Sequence, residues 1–423
     1  MVDYTGKNTI IMGIAGNSLM LMRTGRYILS STCLLFAVAA NAGDLLSKAT
    51  SDDGLSVYSE SLLLNAVDNI SNNDIDAAIS DLRQLTRINP DFKAAQMMYA
   101  DMLMARIQPL TDFGNVPNAS FEKITALREE VRARWQYHQE PIDKSRIPAS
   151  LIELDNKQDH AIVVDSSRSR LYLFKNQNGV PRLVRDFYVT IGKNGTGKYV
   201  EGDQKTPVGV YFVTGFINPE ELPDLYGDGA FPIDYPNVWD RRHGRTGYGI
   251  WLHGVPSNTY SRPPRDSNGC VIVSNNDLNT LAPYIHEGET PVIIADNIDW
   301  ITRQDWQQRQ SNFENFVEQW RKDWESKDTK RYISHYSREY SGLGKDYESW
   351  VEYKKRVNSS KKFIKVDISD KSIFMYPGEK KLMVVTFVQD YKSDNFKRRF
   401  TKRQYWRKED DGKWRIIYEG AAS

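Results

Sequence analysis

The stretch from Trp251 to Asn275, WLHGVPSNTYSRPPRDSNGCVIVSN, decides how the rest of the chain is read. It carries His253-Gly254, a loop of Pro, Ser and Arg, then Ser267-Asn268-Gly269-Cys270 and the apolar run Val271-Ile272-Val273. A thiol attacks carbonyls as thiolate, and a free cysteine titrates at ~8.5, so it needs a base nearby. His253 lies seventeen positions upstream across a loop able to fold back. Gly269 lets the backbone approach a substrate, and the amides of Gly269 and Cys270 are expected to face the oxygen of a tetrahedral intermediate. Either residue by itself reads as core: a lone cysteine is more often a small buried hydrophobe. The two together, each flanked by glycine and with Ser267 three before the cysteine, favour chemistry.

A second cluster stands upstream, Gly202-Asp203-Gln204-Lys205-Thr206-Pro207-Val208-Gly209-Val210-Tyr211. HG followed by SxGC, preceded by KTPxGxY, resembles the L,D-transpeptidase (YkuD-type) catalytic domain over roughly 160–296. The resemblance implies Cys270 as acylated nucleophile and His253 as general base and acid. It implies that the Gly254 carbonyl orients the imidazole and that Ser267 bonds locally within the loop. Many members carry Arg two residues after the cysteine, and here that position is Ile272. Arg262 or Arg265 is expected to act in its place, and Asn268 and Tyr260 are further candidates for substrate contact. His243-Gly244 is a second such pair, but it sits in a charged turn, so His253 is preferred.

Around this motif, strands are expected at Ala161–Asp165, Arg170–Phe174, Phe187–Ile191, Val208–Thr214, Ile250–His253, Val271–Ser274 and Pro291–Ala295, with one helix within 276–285. They predict a mainly-β core over 158–296. The glycine-rich 192–202 lacks the GKS/T ending of a phosphate loop and reads as a flexible loop beside a cleft. The insertion 217–249 is expected to place Tyr226, Phe231, Tyr235 and Trp239 on a substrate-facing wall.

The N-terminus reads as an export signal within 1–42. Arg23 and Arg26 precede an apolar Tyr27–Ala40, Ala40-Asn41-Ala42 forms a cleavage site, and the first nineteen residues are an upstream extension. Its removal leaves Cys270 as the sole cysteine of a periplasmic protein. An unpaired thiol exposed to oxidation there is expected to have work to do. Residues 43–140 have helical periodicity at Ser59–Ile70, Ile75–Ile88, Phe92–Ile107 and Phe121–Gln136, with Asn72-Asn73-Asp74 and Asn89-Pro90 as breaks. This pattern resembles a tetratricopeptide-like helix pair, and one repeat is too few for a solenoid. Pro141–Pro148 reads as a linker.

From 302 to 423, Trp306, Phe313, Phe316, Val317, Trp320 and Trp324 mark a long amphipathic helix. Two shorter helices follow, then strands at Phe363–Ile368, Ser372–Tyr376, Lys381–Tyr391, Lys397–Lys408 and Trp414–Tyr418. Helices leading into a curved sheet resemble the nuclear transport factor 2-like fold, a cone with a pocket. The chain as a whole is thus expected to be multidomain α+β: a helical region, a mainly-β catalytic domain and a C-terminal α+β cone.

Net charge is +1, so overall charge selects no partner, yet residues from Ile301 onward carry 28 Lys and Arg against 19 Asp and Glu. That excess suits a solvated face or anionic cell-wall material, and export argues against nucleic acid. The resemblance implies peptidoglycan peptide stems as substrate, with a cell-wall-linked protein as a further possible acceptor. It implies no cofactor, and no histidine–acid spacing suggests a metal. The membrane enters only through the export signal. The expected activity is L,D-transpeptidation: Cys270 displaces D-alanine from a tetrapeptide stem and passes the acyl group to an amine. The alternatives are L,D-carboxypeptidase trimming, as in the cell-shape enzymes of helical bacteria that pair similar domains, and a non-catalytic wall scaffold.

Overall fold

The computed structural model of the protein describes residues 52–114, 119–379 and 381–422. The expected export signal lies outside them.

Helices Asp52–Ser71, Ile75–Ile88, Lys93–Ala105 and Phe121–Gln139 form the N-terminal region. The breaks follow from local chemistry. Asp74 caps the second helix by accepting from the Ala77 amide at 3.0 Å, and Asn73 takes the left-handed φ of 61° that the turn requires. Leu63, Ala78, Leu82 and Leu85 are fully buried where the helices meet. Each such leucine contributes about 1.5–3 kcal/mol on leaving water.

The central region is built on a sheet of five strands in the order Val180–Tyr188, Arg170–Gln177, His160–Asp165, Pro291–Ala295, Gly209–Phe212. Pro291–Ala295 runs parallel to His160–Asp165, with Val292 beside Ile162, and antiparallel to Gly209–Phe212. Both faces are covered, which is why these strands are continuous apolar runs. Ile162, Val164, Val292 and Ile294 point into the catalytic core with Val271, Val273 and Leu278. Ala161, Val163 and Ile293 point the other way, into a core shared with Phe374, Leu382, Val384 and Tyr405 of the C-terminal sheet. A smaller sheet, ordered Val271–Ile272, Trp251–His253, Ala230–Pro232, carries the motif residues.

The C-terminal region opens with helix Arg303–Glu325, capped by Thr302, which accepts from the Asp305 amide at 3.1 Å. Its buried Trp306, Phe313, Val317, Trp320 and Trp324 face a long antiparallel sheet. The two strands expected between Phe363 and Tyr376 are one, Ile364–Met375, with a register shift at Ser369/Ser372. Asp370 there has a φ of 47°, the signature of a bulge rather than a chain reversal. In the cone interior, Lys402 meets Glu419 at 3.3 Å, and the Lys354 ammonium lies 4.3 Å from the Trp324 ring and 4.5 Å from Trp350. Burial pulls the Lys354 amine down to about 7.

The segment before the catalytic strands departs from the expected linker. Ile147–Pro148 pairs with Trp300–Ile301, and Leu151–Glu153 joins the C-terminal sheet beside Ile364–Met375. Leu151 and Ile152 are fully buried, and the Trp306 indole donates to the Leu151 carbonyl at 2.6 Å. The C-terminal sheet therefore takes one strand from a point in the chain before the catalytic domain.

Candidate active site

Strand pairing brings the motif residues together. Val271 lies beside Leu252 and Ile272 beside His253 in parallel register. Paired residues point to the same side of a sheet and the direction alternates along each strand. Ile272 thus shares a side with His253, and Cys270 lies just before the Val271–Ile272 strand, against the Gly249–Trp251 segment that leads into His253. Tyr226 packs on the His253 strand: its ring meets the imidazole edge-on at 5.0 Å and the Trp251 ring at 4.8 Å. A charge on Cys270 also raises the Tyr226 hydroxyl, after the larger effect of burial.

His253 is 3% exposed, and its Nδ1 lies 2.7 Å from the Gly254 carbonyl. A carbonyl only accepts, so Nδ1 carries the proton and Nε2 keeps its lone pair. Burial pulls the imidazole down to about 4, against the Gly254 bond and aided by the charge of Arg262. The ring is neutral at pH 7, in the state that accepts a proton. Gly254 is required by crowding: a Cβ there would stand 2.0 Å from Asn275 Oδ1. That oxygen accepts from the amides of Val255 at 3.0 Å and Asp228 at 3.3 Å, while Asn275 Nδ2 donates to the Val255 carbonyl at 2.9 Å.

Cys270 is partly exposed, and its thiol donates to the Gly249 carbonyl at 3.4 Å. Burial pushes the thiol above its ordinary value, opposed by the Trp251 amide and by the charges of Arg262 and Lys198. At rest the pair is therefore a neutral thiol beside a neutral imidazole. Gly269 holds a φ of +127°, and a Cβ there would lie 2.8 Å from the Lys205 carbonyl. Thr206, the threonine of the upstream motif, donates to the Gly269 carbonyl at 3.0 Å and accepts from the Gly192 amide at 2.9 Å. The motif thus pins the turn that presents the cysteine.

The Gly269 amide is expected at the oxyanion, but it donates to Ser267 Oγ at 3.0 Å, and that hydroxyl donates to the Cys270 carbonyl at 2.7 Å. Ser267 closes the turn on itself and occupies the amide. Tyr260, expected at the substrate, packs its ring on Phe92 at 4.6 Å and joins the helical core. Arg265 and Asn268 are exposed, the latter accepting from Gln204 at 3.3 Å. Arg262 is the basic residue whose charge acts on both Cys270 and His253. Its Nε donates to Asp266 Oδ2 at 2.9 Å. Of the insertion aromatics, Phe231, Tyr235 and Trp239 are buried in cores, Trp239 stacked on Tyr405 at 5.2 Å. They cannot form a substrate wall, because Ala230–Pro232 extends the His253 strand and Val238–Arg242 is a helix with Trp239 in the shared core. Tyr226 alone of the four reaches the site. Among the described residues, no group of His, Cys, Asp and Glu is arranged to hold a metal ion.

Residues 159–294 match the model of the L,D-transpeptidase catalytic domain, YkuD, and residues 312–420 that of the Cds6 C-terminal NTF2-like domain. The structure of Bdellovibrio bacteriovorus Bd1075 is 32% identical, with a TM-score of 0.59, over 66% of this chain and 98% of that one. The chain belongs to the L,D-transpeptidase (YkuD) family. The helical cell shape determining protein Pgp2 from Campylobacter jejuni is similar to this family member at 27% identity and a TM-score of 0.55, over 67% of this chain and 98% of that one. No curated protein matches. Both regions named by the models lie C-terminal to the four helices, so in this L,D-transpeptidase-family chain residues 52–139 belong to neither model.

Proposed function

We propose that the protein is an L,D-carboxypeptidase of the periplasm, removing the terminal D-alanine from peptidoglycan tetrapeptide stems through a thioester on Cys270. The observation that carries this reading is the pair itself: a partly exposed thiol just before the strand Val271–Ile272 and, on the neighbouring strand, a neutral imidazole whose Nδ1 is held by the Gly254 carbonyl. Nε2 takes the thiol proton as sulfur attacks the carbonyl carbon of diaminopimelate. The reading calls on the Cys270 amide to stabilise the negative charge that develops on the carbonyl oxygen. The tetrahedral intermediate collapses, the C–N bond breaks, and the imidazolium returns its proton to the departing amine of D-alanine. Water then gives a proton to Nε2 and attacks the thioester, which restores the thiol and releases a tripeptide stem.

Water is favoured over an amine acceptor by position 272. Ile272 is 2% exposed where many family members carry arginine, so this position presents no cation to a second stem. The likeness to a cell-shape determining protein, over 67% of this chain and 98% of that one, points the same way. The test is incubation with tetrapeptide muropeptides followed by mass analysis. Tripeptides with free D-alanine are expected. Cross-linked dimers would make the protein a transpeptidase, and unchanged substrate would make the fold a scaffold.

The acid limb of kcat/KM is expected near pH 4 rather than near 6.5. Protonating Nε2 removes the base, and burial holds that protonation down to about 4. A kcat/KM profile from pH 3.5 to 9 checks it; loss of half the activity by pH 6.5 contradicts a buried neutral imidazole.

A further inference from the structure

The loop between His253 and Cys270 is anchored from outside the catalytic domain. Ser261 Oγ donates to Glu130 Oε1 at 2.6 Å, across 131 positions of sequence. Glu130 is 1% exposed, and Arg134, 4% exposed, holds it at 3.0 Å. The Arg134 guanidinium also pairs with Glu60 and lies 3.7 Å from the Tyr188 ring centroid. Glu60 in turn accepts from Arg170 of the catalytic sheet at 2.7 Å. One residue before Ser261, the Tyr260 amide donates to the Asp91 carbonyl at 3.3 Å. One residue after it, the Arg262 carbonyl accepts from Thr190 Oγ1 at 2.8 Å and from the Tyr188 hydroxyl at 3.1 Å.

Burying carboxylates and guanidinium groups together carries a large desolvation penalty, and an apolar seam of equal size is often at least as stable. Stability alone therefore does not account for the cluster. What it supplies is register: it fixes three consecutive loop residues, and the third is Arg262, whose charge reaches both reacting groups.

We propose that Glu130 is a positioning residue for the reaction, holding Ser261 and with it the backbone of Arg262, so that the N-terminal helices set the register of the active-site loop. The proposal rests on the reading of Cys270 and His253 as the reacting groups. Glu130 touches neither substrate nor sulfur; it acts through the loop. Losing the anchor lets Arg262 drift, which withdraws a positive charge from the thiolate and from the imidazole. Both groups then titrate higher.

The test uses the full chain carrying Ser261→Ala, Ser261→Thr or Glu130→Gln. Three readouts are taken: kcat and KM on a tetrapeptide muropeptide, the pH dependence of Cys270 alkylation by iodoacetamide, and Tm. Ser261→Ala is expected to lower kcat about tenfold with KM little changed, and to move the alkylation midpoint upward. Ser261→Thr keeps a hydroxyl and is expected to restore both. Glu130→Gln is expected to behave like Ser261→Ala. Should Glu130→Gln fail to fold, the serine variants still decide. Kinetics and an alkylation midpoint equal to wild type in Ser261→Ala, whether or not Tm falls, would overturn the proposal and leave the cluster a structural seam. Wild-type protein that releases no D-alanine would instead sink the carboxypeptidase reading, while the alkylation profiles still judge the anchor.

Discussion

Cys270→Ala is expected to abolish release of D-alanine while leaving the fold in place. The substitution deletes one atom from a partly exposed side chain whose recorded bond is a weak 3.4 Å contact to the Gly249 carbonyl. Lost packing of that size lies within about 1 kcal/mol, so Tm is expected to stay close to wild type. Activity behaves differently, because no other group can form the thioester. Ser267, the nearest hydroxyl along the chain, is committed to the Cys270 carbonyl and the Gly269 amide. Removing a nucleophile from a cooperating pair costs on the order of 10⁶-fold in kcat in other hydrolases. A loss of at least about 10³-fold is expected here, read as tripeptide formed over hours by mass analysis. Product at a tenth of the wild-type rate would remove sulfur from the mechanism.

Gly254→Ala is expected to cost nearly as much by an indirect route. The new methyl would overlap Asn275 Oδ1, which stands 2.0 Å from its ideal position. Asn275 must then swing away from the amides of Val255 and Asp228 and from the Val255 carbonyl. Each lost bond costs about 1 kcal/mol, more where a buried partner is stranded. The alternative is for the Gly254 backbone to shift, which carries away the carbonyl that fixes the His253 tautomer. Either way the imidazole leaves its place beneath Tyr226. A fall of about 10²–10³ in kcat/KM is expected, since displacement of a reacting group by ~1 Å costs about 10². Wild-type kcat/KM would show that Asn275 moves freely and that the carbonyl does not orient the ring.

The site's pairing was legible because its residues are close in sequence and bracketed by glycines, one demanded by its conformation (Gly269) and one by crowding (Gly254). His253-Gly254 and Gly269-Cys270 become neighbours through a parallel strand pair that Val271-Ile272 announces by β-branching. The helices at Ile75–Ile88 and Arg303–Glu325 were equally readable, from apolar spacing over three or more turns. Contacts set by tertiary structure were not. Nothing local links Glu130 to Ser261, and nothing in the insertion separates Tyr226, which reaches the site, from Phe231 and Trp239, which fill cores. The Gly269 amide looked free because its partner is a side chain two residues back, a bond that depends on one serine rotamer. Leu151–Glu153 is too short for any period to show.

Because Leu151–Glu153 completes the C-terminal sheet and the chain then runs on into the catalytic strands, the two regions are threaded through one another rather than strung in series. A fragment cut near residue 300 would keep Leu151 and Ile152 but lose the surface they bury against, and a fragment starting near 158 would leave an open edge on the long sheet. Heat should therefore melt both halves in a single calorimetric transition. A cell assembling this enzyme must wait for its last strands before its first ones can settle.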